Sequence, residues 1–153
     1  MRRFLFLILN FGALALGALF MGEDPGSNEW YVQLNKAPWT PPGWMFGLAW
    51  TVIMITYAFY MDRLIARVHP DFLFNVYAFY GVQWVLNVIW NPVFFAWHLT
   101  VLGAIVIFLL ILVLVGVNIN YSTKNTVSLI LLIPYVLWLS IALSMNLFVV
   151  IMN

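Results

Sequence analysis

The chain has 153 residues, of which 65% are hydrophobic and only 7% charged, with a formal net charge of +1. Typical soluble domains carry about 25% charged residues, so a soluble fold of this length could not cover its apolar surface, and the composition identifies an integral membrane protein. There is no cysteine, hence no disulfide, thiolate nucleophile or cysteine metal site, and no basic cluster offers a footprint for nucleic acid.

In chain order, five apolar runs cover 4–21, 44–66, 72–97, 99–120 and 126–152. Each is close to or above the roughly 20 residues needed to cross a bilayer as a helix. The other spanning structure, a closed β-barrel, needs alternating apolar and polar positions. These runs do not alternate: Leu99–Val117 holds one threonine and otherwise only apolar residues or glycine. The expected fold is an all-α integral membrane protein, a bundle of five transmembrane helices in one domain over 1–153. The first run follows Arg2 and Arg3 and resembles a secretory signal peptide. Against cleavage, Asn10 interrupts it, and Ala13 and Gly17, four apart, suit close helix packing. A retained helix is expected.

The long first loop, 22–43, is read as a lid. From Glu29 to Thr51 the chain carries four tryptophans, Tyr31, Lys36, Pro38, Pro41 and Pro42. The prolines fix their own φ and bias the preceding residues away from helix, so an extended, stiff connection is expected, ending at Gly43. Such a segment would fold over an apolar pocket, carrying Trp39 and delivering Trp50 to the pocket mouth. The alternative is an interfacial aromatic belt. On the second span Trp50, Met54 and Tyr57 share one side, and Asp62 and Arg63 read as a boundary pair.

The third span places Tyr80, Gln83, Asn87, Asn91 and Phe94 at spacings of three and four, hence on one helical face, flanked by Trp84 and Trp90. Three carboxamides within a membrane are costly to expose to lipid and should face the bundle interior. They serve either interhelical hydrogen bonds, worth only about 0.6 kcal/mol each in one membrane protein, or a polar stripe in a ligand cavity. Pro92 can kink the helix just beyond them. On the fifth span Tyr135, Trp138, Ala142, Asn146 and Val149 form a second stripe, where Ala142 leaves room in front of Trp138.

With the N-terminus inside, Arg2, Arg3, Arg63, Arg67 and Lys124 are cytoplasmic and only Lys36, of the six basic residues, is outside. This suggests a multi-pass protein of a bacterial cell (inner) membrane, with an outer membrane as the alternative. His69 and His98 fall at opposite boundaries and cannot share a metal. No Ser-His-Asp set, glycine-rich phosphate loop or paired intramembrane carboxylates occur, which excludes hydrolase and kinase chemistry. No acidic residue occupies the middle of a span, against an ion pump.

Trp30-Tyr31, Leu34-Asn35-Lys36, Trp39-Thr40-Pro41-Pro42-Gly43 and Ala49-Trp50 resemble the first-loop signature of the TspO/MBR family, the tryptophan-rich sensory proteins and mitochondrial translocator protein (peripheral benzodiazepine receptor). The likeness continues through Gln83, Asn87, Trp90 and Phe94-Phe95, then Pro134-Tyr135, Trp138, Ala142 and Asn146, and so covers nearly the whole chain. It implies a five-helix bundle, commonly a homodimer, with an apolar pocket closed by the first loop. Relatives bind porphyrins and haem, some bind cholesterol, and benzodiazepine-site ligands use the same cavity. Some bacterial relatives promote light-dependent breakdown of protoporphyrin IX, for which two pocket tryptophans matter; by motif these are Trp50 and Trp138. Tyr31, Asn87 and Ala142 match pocket-lining positions.

Two departures stand out. Ala37 separates Lys36 from Pro38 where many relatives place proline directly after lysine. The chain also ends without the tyrosine and basic residue of the sterol-recognition pattern, itself a weak motif. The expected ligand set is Tyr31, Trp39, Trp50, Met54, Gln83, Asn87, Trp90, Phe94, Tyr135, Trp138, Ala142 and Asn146, with no intrinsic cofactor and porphyrin or haem as ligand. Alternatives are a transporter of porphyrins or lipophiles, against which five unlike spans without inverted symmetry count, and a regulatory partner without turnover. Ala78 and Gly81 are candidate dimer contacts on the third span.

Overall fold

The computed structural model describes residues 1–122 and 126–153. Lys124, counted above among the cytoplasmic basic residues, lies outside them. Every described regular element is helical, and five of the helices are long and apolar enough to cross a membrane. α1 covers Arg2–Met21, a short α2 covers Glu29–Gln33, and α3 covers Gly43–Ile65. α4 covers Leu73–Asn91, α5 Thr100–Tyr121 and α6 Thr126–Met152, the last running through Pro134.

Boundaries follow local chemistry. Extended Pro42 (φ −61°, ψ 149°) precedes α3, as the proline-rich approach requires. α4 is entered through a 3₁₀ turn, Pro70–Phe72, with proline at its start, where a missing N–H costs nothing. Its far end widens at Pro92 into a single π turn, Pro92–Ala96, in which the Trp97 amide donates to the Pro92 carbonyl at 2.9 Å. Proline removes one rung of the α-ladder, and a π turn is one way the backbone absorbs the loss.

The lid is not extended throughout. Asn28 caps α2, its side-chain oxygen accepting from the Tyr31 amide at 2.9 Å, and Lys36 closes the other end by donating to the Tyr31 and Val32 carbonyls at 2.9 and 3.1 Å. Pro38, Pro41 and Pro42 lie after this turn of helix, so their stiffness governs only its exit.

The spanning helices pack as a ring in the order α1, α3, α6, α5, α4 and back to α1. Close approach of α1 to α4 depends on Gly17, where an added Cβ would stand 2.5 Å from the Asn91 side-chain nitrogen. Asn10 is buried and ties three helices together: its Nδ2 donates to the Met54 carbonyl at 3.0 Å, and its Oδ1 accepts from Tyr80 at 2.8 Å. Trp84 Nε1 donates to the Leu9 carbonyl at 2.8 Å. In contrast, Ala78 and Gly81 are exposed, and a Cβ at Gly81 would meet nothing within 4 Å.

Asp62 does not pair with Arg63. Arg3 Nε donates to it at 2.6 Å and Arg2 lies at 3.6 Å. Antiparallel packing of α1 on α3 brings the start of one to the end of the other, whereas adjacent residues on one helix point apart.

Across the middle of the ring, Tyr135 is fully buried. Gln83 Nε2 and Asn87 Nδ2 both donate to its hydroxyl oxygen at 2.8 Å. α4 and α6 are not neighbours in the ring, so this is a tie across the interior. Tyr57 packs edge-on against the Tyr135 ring at 5.3 Å and stacks near Tyr80 at 6.1 Å. Tyr135→Phe keeps the ring and strands two buried amide donors, which should cost about 1–3 kcal/mol. Thermal unfolding in detergent should show a clearly lowered midpoint; a midpoint equal to wild type would show that the tie carries no stability.

Candidate ligand-binding site

Above the Tyr135 tie the ring opens into two adjoining cavities beneath the lid. The inner one is about 60 Å³ and reaches from the lid to Asn87, Leu110 and Trp138. The outer one is about 590 Å³ and lies between α1 and α3, bordered by Leu14, Ala18, Phe46 and Gly47 and roofed by lid residues from Asp24 to Pro41. Tyr31, Lys36, Thr40, Phe46, Trp50, Trp90 and Phe95 line both.

Each wall has a local cause. Phe46 and Trp50 are four residues apart and so share a face of α3. Phe46 meets the Trp138 ring edge-on at 5.3 Å, and Trp50 meets Tyr135 at 6.1 Å. The π turn sets Phe94 and Phe95 side by side, ring centres 4.9 Å apart, with Trp90 stacked on Phe94 at 5.5 Å. α2 rests on this cluster. Tyr31 meets Phe95 at 5.2 Å, Trp30 meets Phe94 at 5.5 Å, and Trp30 stacks on His98 at 4.1 Å. Partial burial raises the Tyr31 phenol above its ordinary pKa, so it stays neutral under the ammonium of Lys36, which sits 4.7 Å from its ring centre.

The lid is fastened at three places. Asn28 Nδ2 donates to the Phe95 carbonyl at 3.4 Å beside the Trp30–His98 stack. Asn35 and Asn153 bond reciprocally, the Asn35 amide donating to Asn153 Oδ1 at 2.9 Å and Asn153 Nδ2 to the Asn35 carbonyl at 3.3 Å. Trp39 Nε1 donates to Ser144 Oγ at 3.1 Å, and its ring abuts Phe148 at 5.5 Å.

Of the residues expected from the sequence, Tyr31, Trp50, Asn87, Trp90, Phe94, Trp138, Ala142 and Asn146 line the inner cavity. Trp39, Met54, Gln83 and Tyr135 line neither. Trp39 is a fastener on α6, while Met54, Gln83 and Tyr135 are buried below the cavity floor. Lys36, Thr40, Phe46 and Phe95 were missed as lining residues. Phe46 was accessible through its four-residue spacing from Trp50. Leu110 and Ile107 belong to an almost wholly apolar span that carries no marker of which face turns inward.

Two polar groups facing the inner cavity have no hydrogen-bond partner in the protein: the indole Nε1 of Trp90 and both side-chain polar atoms of Asn146. Among the described residues no group of histidine and acidic side chains could hold a metal. The site can therefore offer aromatic faces, indole N–H and carboxamide groups, which recognise a flat apolar body with few polar atoms.

The chain matches the model of the TspO/MBR family over residues 5–152. It is similar to Protein CrtK of Rhodobacter capsulatus, 31% identical over 133 residues, covering 86% of this chain and 80% of that protein. It is also similar to the tryptophan-rich sensory protein of Cereibacter sphaeroides, 31% identical over 120 residues (78% and 73%). The tryptophan-rich protein TspO of Chlorobaculum tepidum is 27% identical over 135 residues (87% and 85%).

Loosening the fasteners should expose the lid without unfolding the bundle. The double substitution Trp30→Ala and Asn153→Ala, the second removing the side chain that bonds the Asn35 backbone, should raise protease cleavage within 22–42 by roughly thirtyfold, if each fastener adds on the order of 1 kcal/mol to local closure. Cleavage at the wild-type rate would mean that these contacts do not hold the lid.

Proposed function

The chain belongs to the TspO/MBR family, and from that premise we propose that it binds tetrapyrroles such as protoporphyrin IX or haem, and other flat lipophilic ligands, beneath the lid. The observation that carries this reading is the outer cavity of about 590 Å³ between aromatic walls, within the range of about 300–1,000 Å³ common for small-molecule sites. Trp50, Phe46 and Trp90 supply flat apolar faces, and Lys36 supplies one cation at the rim. The ligand needs no resident cofactor to be held. The inner cavity, at about 60 Å³, is too small for a macrocycle, so the ring system belongs in the outer one.

A bound porphyrin that absorbs light can be oxidised by dioxygen. An indole near the excited ring can give it one electron; the ring anion passes that electron to dioxygen as superoxide, which attacks the macrocycle, and the indole cation recovers its electron from the porphyrin being oxidised. By the family motif these photochemical roles fall to Trp50 and Trp138. The two stand differently. Trp50 lines both cavities, whereas Trp138 lines only the inner one and is screened by Phe46. Replacing either with phenylalanine keeps an aromatic wall, so affinity for protoporphyrin IX should fall by no more than about tenfold. Light-dependent loss of the porphyrin band should fall much further, and more for Trp50→Phe than for Trp138→Phe. Equal bleaching in wild type, both variants and free porphyrin in detergent would leave a binder without turnover.

We further propose that the N-terminus is cytoplasmic. Arg2, Arg3 and Arg63 gather with Asp62 at one end of the bundle, whereas Lys36, Asp24 and Glu29 sit in the lid at the other, the distribution expected when basic residues stay inside. A cysteine at Ser27, unique in this cysteine-free chain, should react with an impermeant reagent added outside intact cells. Reaction only after the membrane is opened would reverse the orientation.

A further inference from the structure

The inner cavity has a chemistry of its own. Asn146 is 3% exposed, yet neither its Nδ2 nor its Oδ1 finds a partner in the protein. Trp90 Nε1 is likewise buried and unpaired, and both residues line this cavity. A buried amide left unmatched is costly, and native structures keep few of them. Asn87, three residues from Trp90 on the same helix, is already committed to Tyr135 at 2.8 Å. Lys36, also on the lining, is committed to the Tyr31 and Val32 carbonyls. The buried, unpaired polar groups on this lining are thus the Trp90 indole N–H and the carboxamide NH₂ and oxygen of Asn146, around a space of about 60 Å³.

The backbone makes room for that capacity. At Gly103 on α5 an added Cβ would lie 2.9 Å from Asn146 Nδ2 and 3.3 Å from the Phe94 ring. The carboxamide occupies space that only glycine leaves open. Packing alone would be served better by an apolar side chain there, since the hydrogen-bonding atoms gain nothing from the protein around them.

We infer that the inner cavity is a subsite for a single neutral end-group with a hydrogen-bond donor beside an acceptor, such as a primary carboxamide or an un-ionised carboxyl, carried by a ligand whose flat body lies in the outer cavity. This rests on the reading of the two cavities as a site for flat lipophilic ligands. Asn146 pairs with such a group reciprocally, Nδ2 donating to its carbonyl oxygen and Oδ1 accepting from its N–H or O–H. Trp90 Nε1 donates to the same carbonyl, which has two lone pairs. An ester or ketone satisfies the donors and leaves Oδ1 unpaired. A plain alkyl end leaves all three groups unpaired. The small volume admits a few heavy atoms, so a second ring is excluded there.

The test uses three pyrenes of equal chain length: pentylpyrene, the corresponding methyl ketone, and pyrenebutyramide, in which an amino group replaces the ketone's methyl. Each is titrated into the full-length protein in lipid nanodiscs, read by energy transfer from tryptophan to pyrene and corrected for partition into empty nanodiscs. Wild type should bind the amide about tenfold tighter than the ketone, and the ketone several-fold tighter than the hydrocarbon. Asn146→Leu, of the same branched shape, should erase the preference of amide over ketone while pentylpyrene still binds, which also shows that the variant is folded. Trp90→Phe should reduce the preference of ketone over hydrocarbon, because Asn146 Nδ2 is then the one remaining donor to the carbonyl. Gly103→Ala, which displaces the carboxamide without removing a polar atom, should lower the amide preference as well.

Three probes within twofold of one another in wild type would overturn the inference, as would an amide preference that survives Asn146→Leu. Protoporphyrin IX titrated alongside separates the two readings. If it binds while no pyrene does, or if the pyrenes bind without preference, the end-group subsite falls and the tetrapyrrole site stands. If nothing binds, both fall.

Discussion

The hydroxyl oxygen of Tyr135 is the point on which the interior depends. It accepts from Gln83 and Asn87 at once and so joins α4 to α6 across the ring, where no direct packing of neighbours does so. Five apolar helices in lipid have little hydrophobic reason to choose one arrangement over another, because lipid tails are as apolar as leucine. Polar groups that have no solvent to turn to restrict the choice. The register that brings two carboxamides of α4 to one phenol of α6 pairs their N–H groups, and the Asn10 links to Met54 and Tyr80 impose the same discipline on α1, α3 and α4. The tie also sets a floor. Below it the interior is filled by Tyr57, Tyr80 and their neighbours; above it the ring is free to hold cavities.

What closes the top is a different kind of contact. The lid meets the bundle through aromatic rings and exposed asparagine pairs at the α4–α5 corner and along α6. The large cavity lies on the other side, between α1 and α3, where its border is made of small or apolar residues such as Ala18 and Gly47. A lipophilic ligand already dissolved in the bilayer approaches from the side of the helices, so a cavity bordered by α1 and α3 suits entry from lipid while the lid stays fastened to α6. The fasteners lie at the α4–α5 corner and along α6 and none of them closes the α1–α3 border.

Much of this was legible in the sequence because membrane helices punish ambiguity. A polar residue inside a span is costly to expose to lipid, so Gln83, Asn87 and Asn146 could be placed facing inward from spacing alone, and they are buried. Which partner each would take was not legible. Gln83 and Asn87 were read as one stripe, yet Gln83 ends below the floor and Asn87 at it, since one helical turn separates structure from site. Trp39 was assigned to the pocket from its place in an aromatic loop. A loop tryptophan, unlike one on a helix, has no periodicity to say which way it turns, and this one turns to Ser144. The partner of Asp62 depended on the neighbour of α3 in the ring, which no local pattern encodes. α2 was hidden because five residues are too few for a hydrophobic period, although Asn28 before Glu29 was a cap in plain view.

The division into two cavities separates the two requirements of recognition in a membrane. Apolar contact discriminates poorly there, because a flat hydrocarbon leaves one apolar medium for another and gains only stacking and shape. Selectivity must therefore come from the few polar atoms a ligand carries, and these count most where no water or lipid headgroup can replace the protein's own groups. The outer cavity, about 590 Å³ against about 60 Å³ for the inner one, has the larger aromatic area to offer. Asn146 lines only the small cavity, and its polar atoms and the Trp90 indole nitrogen are buried, so an unmatched group on either partner has no alternative there. A ligand would then be held by its plane in the outer cavity and told apart by its end in the inner one.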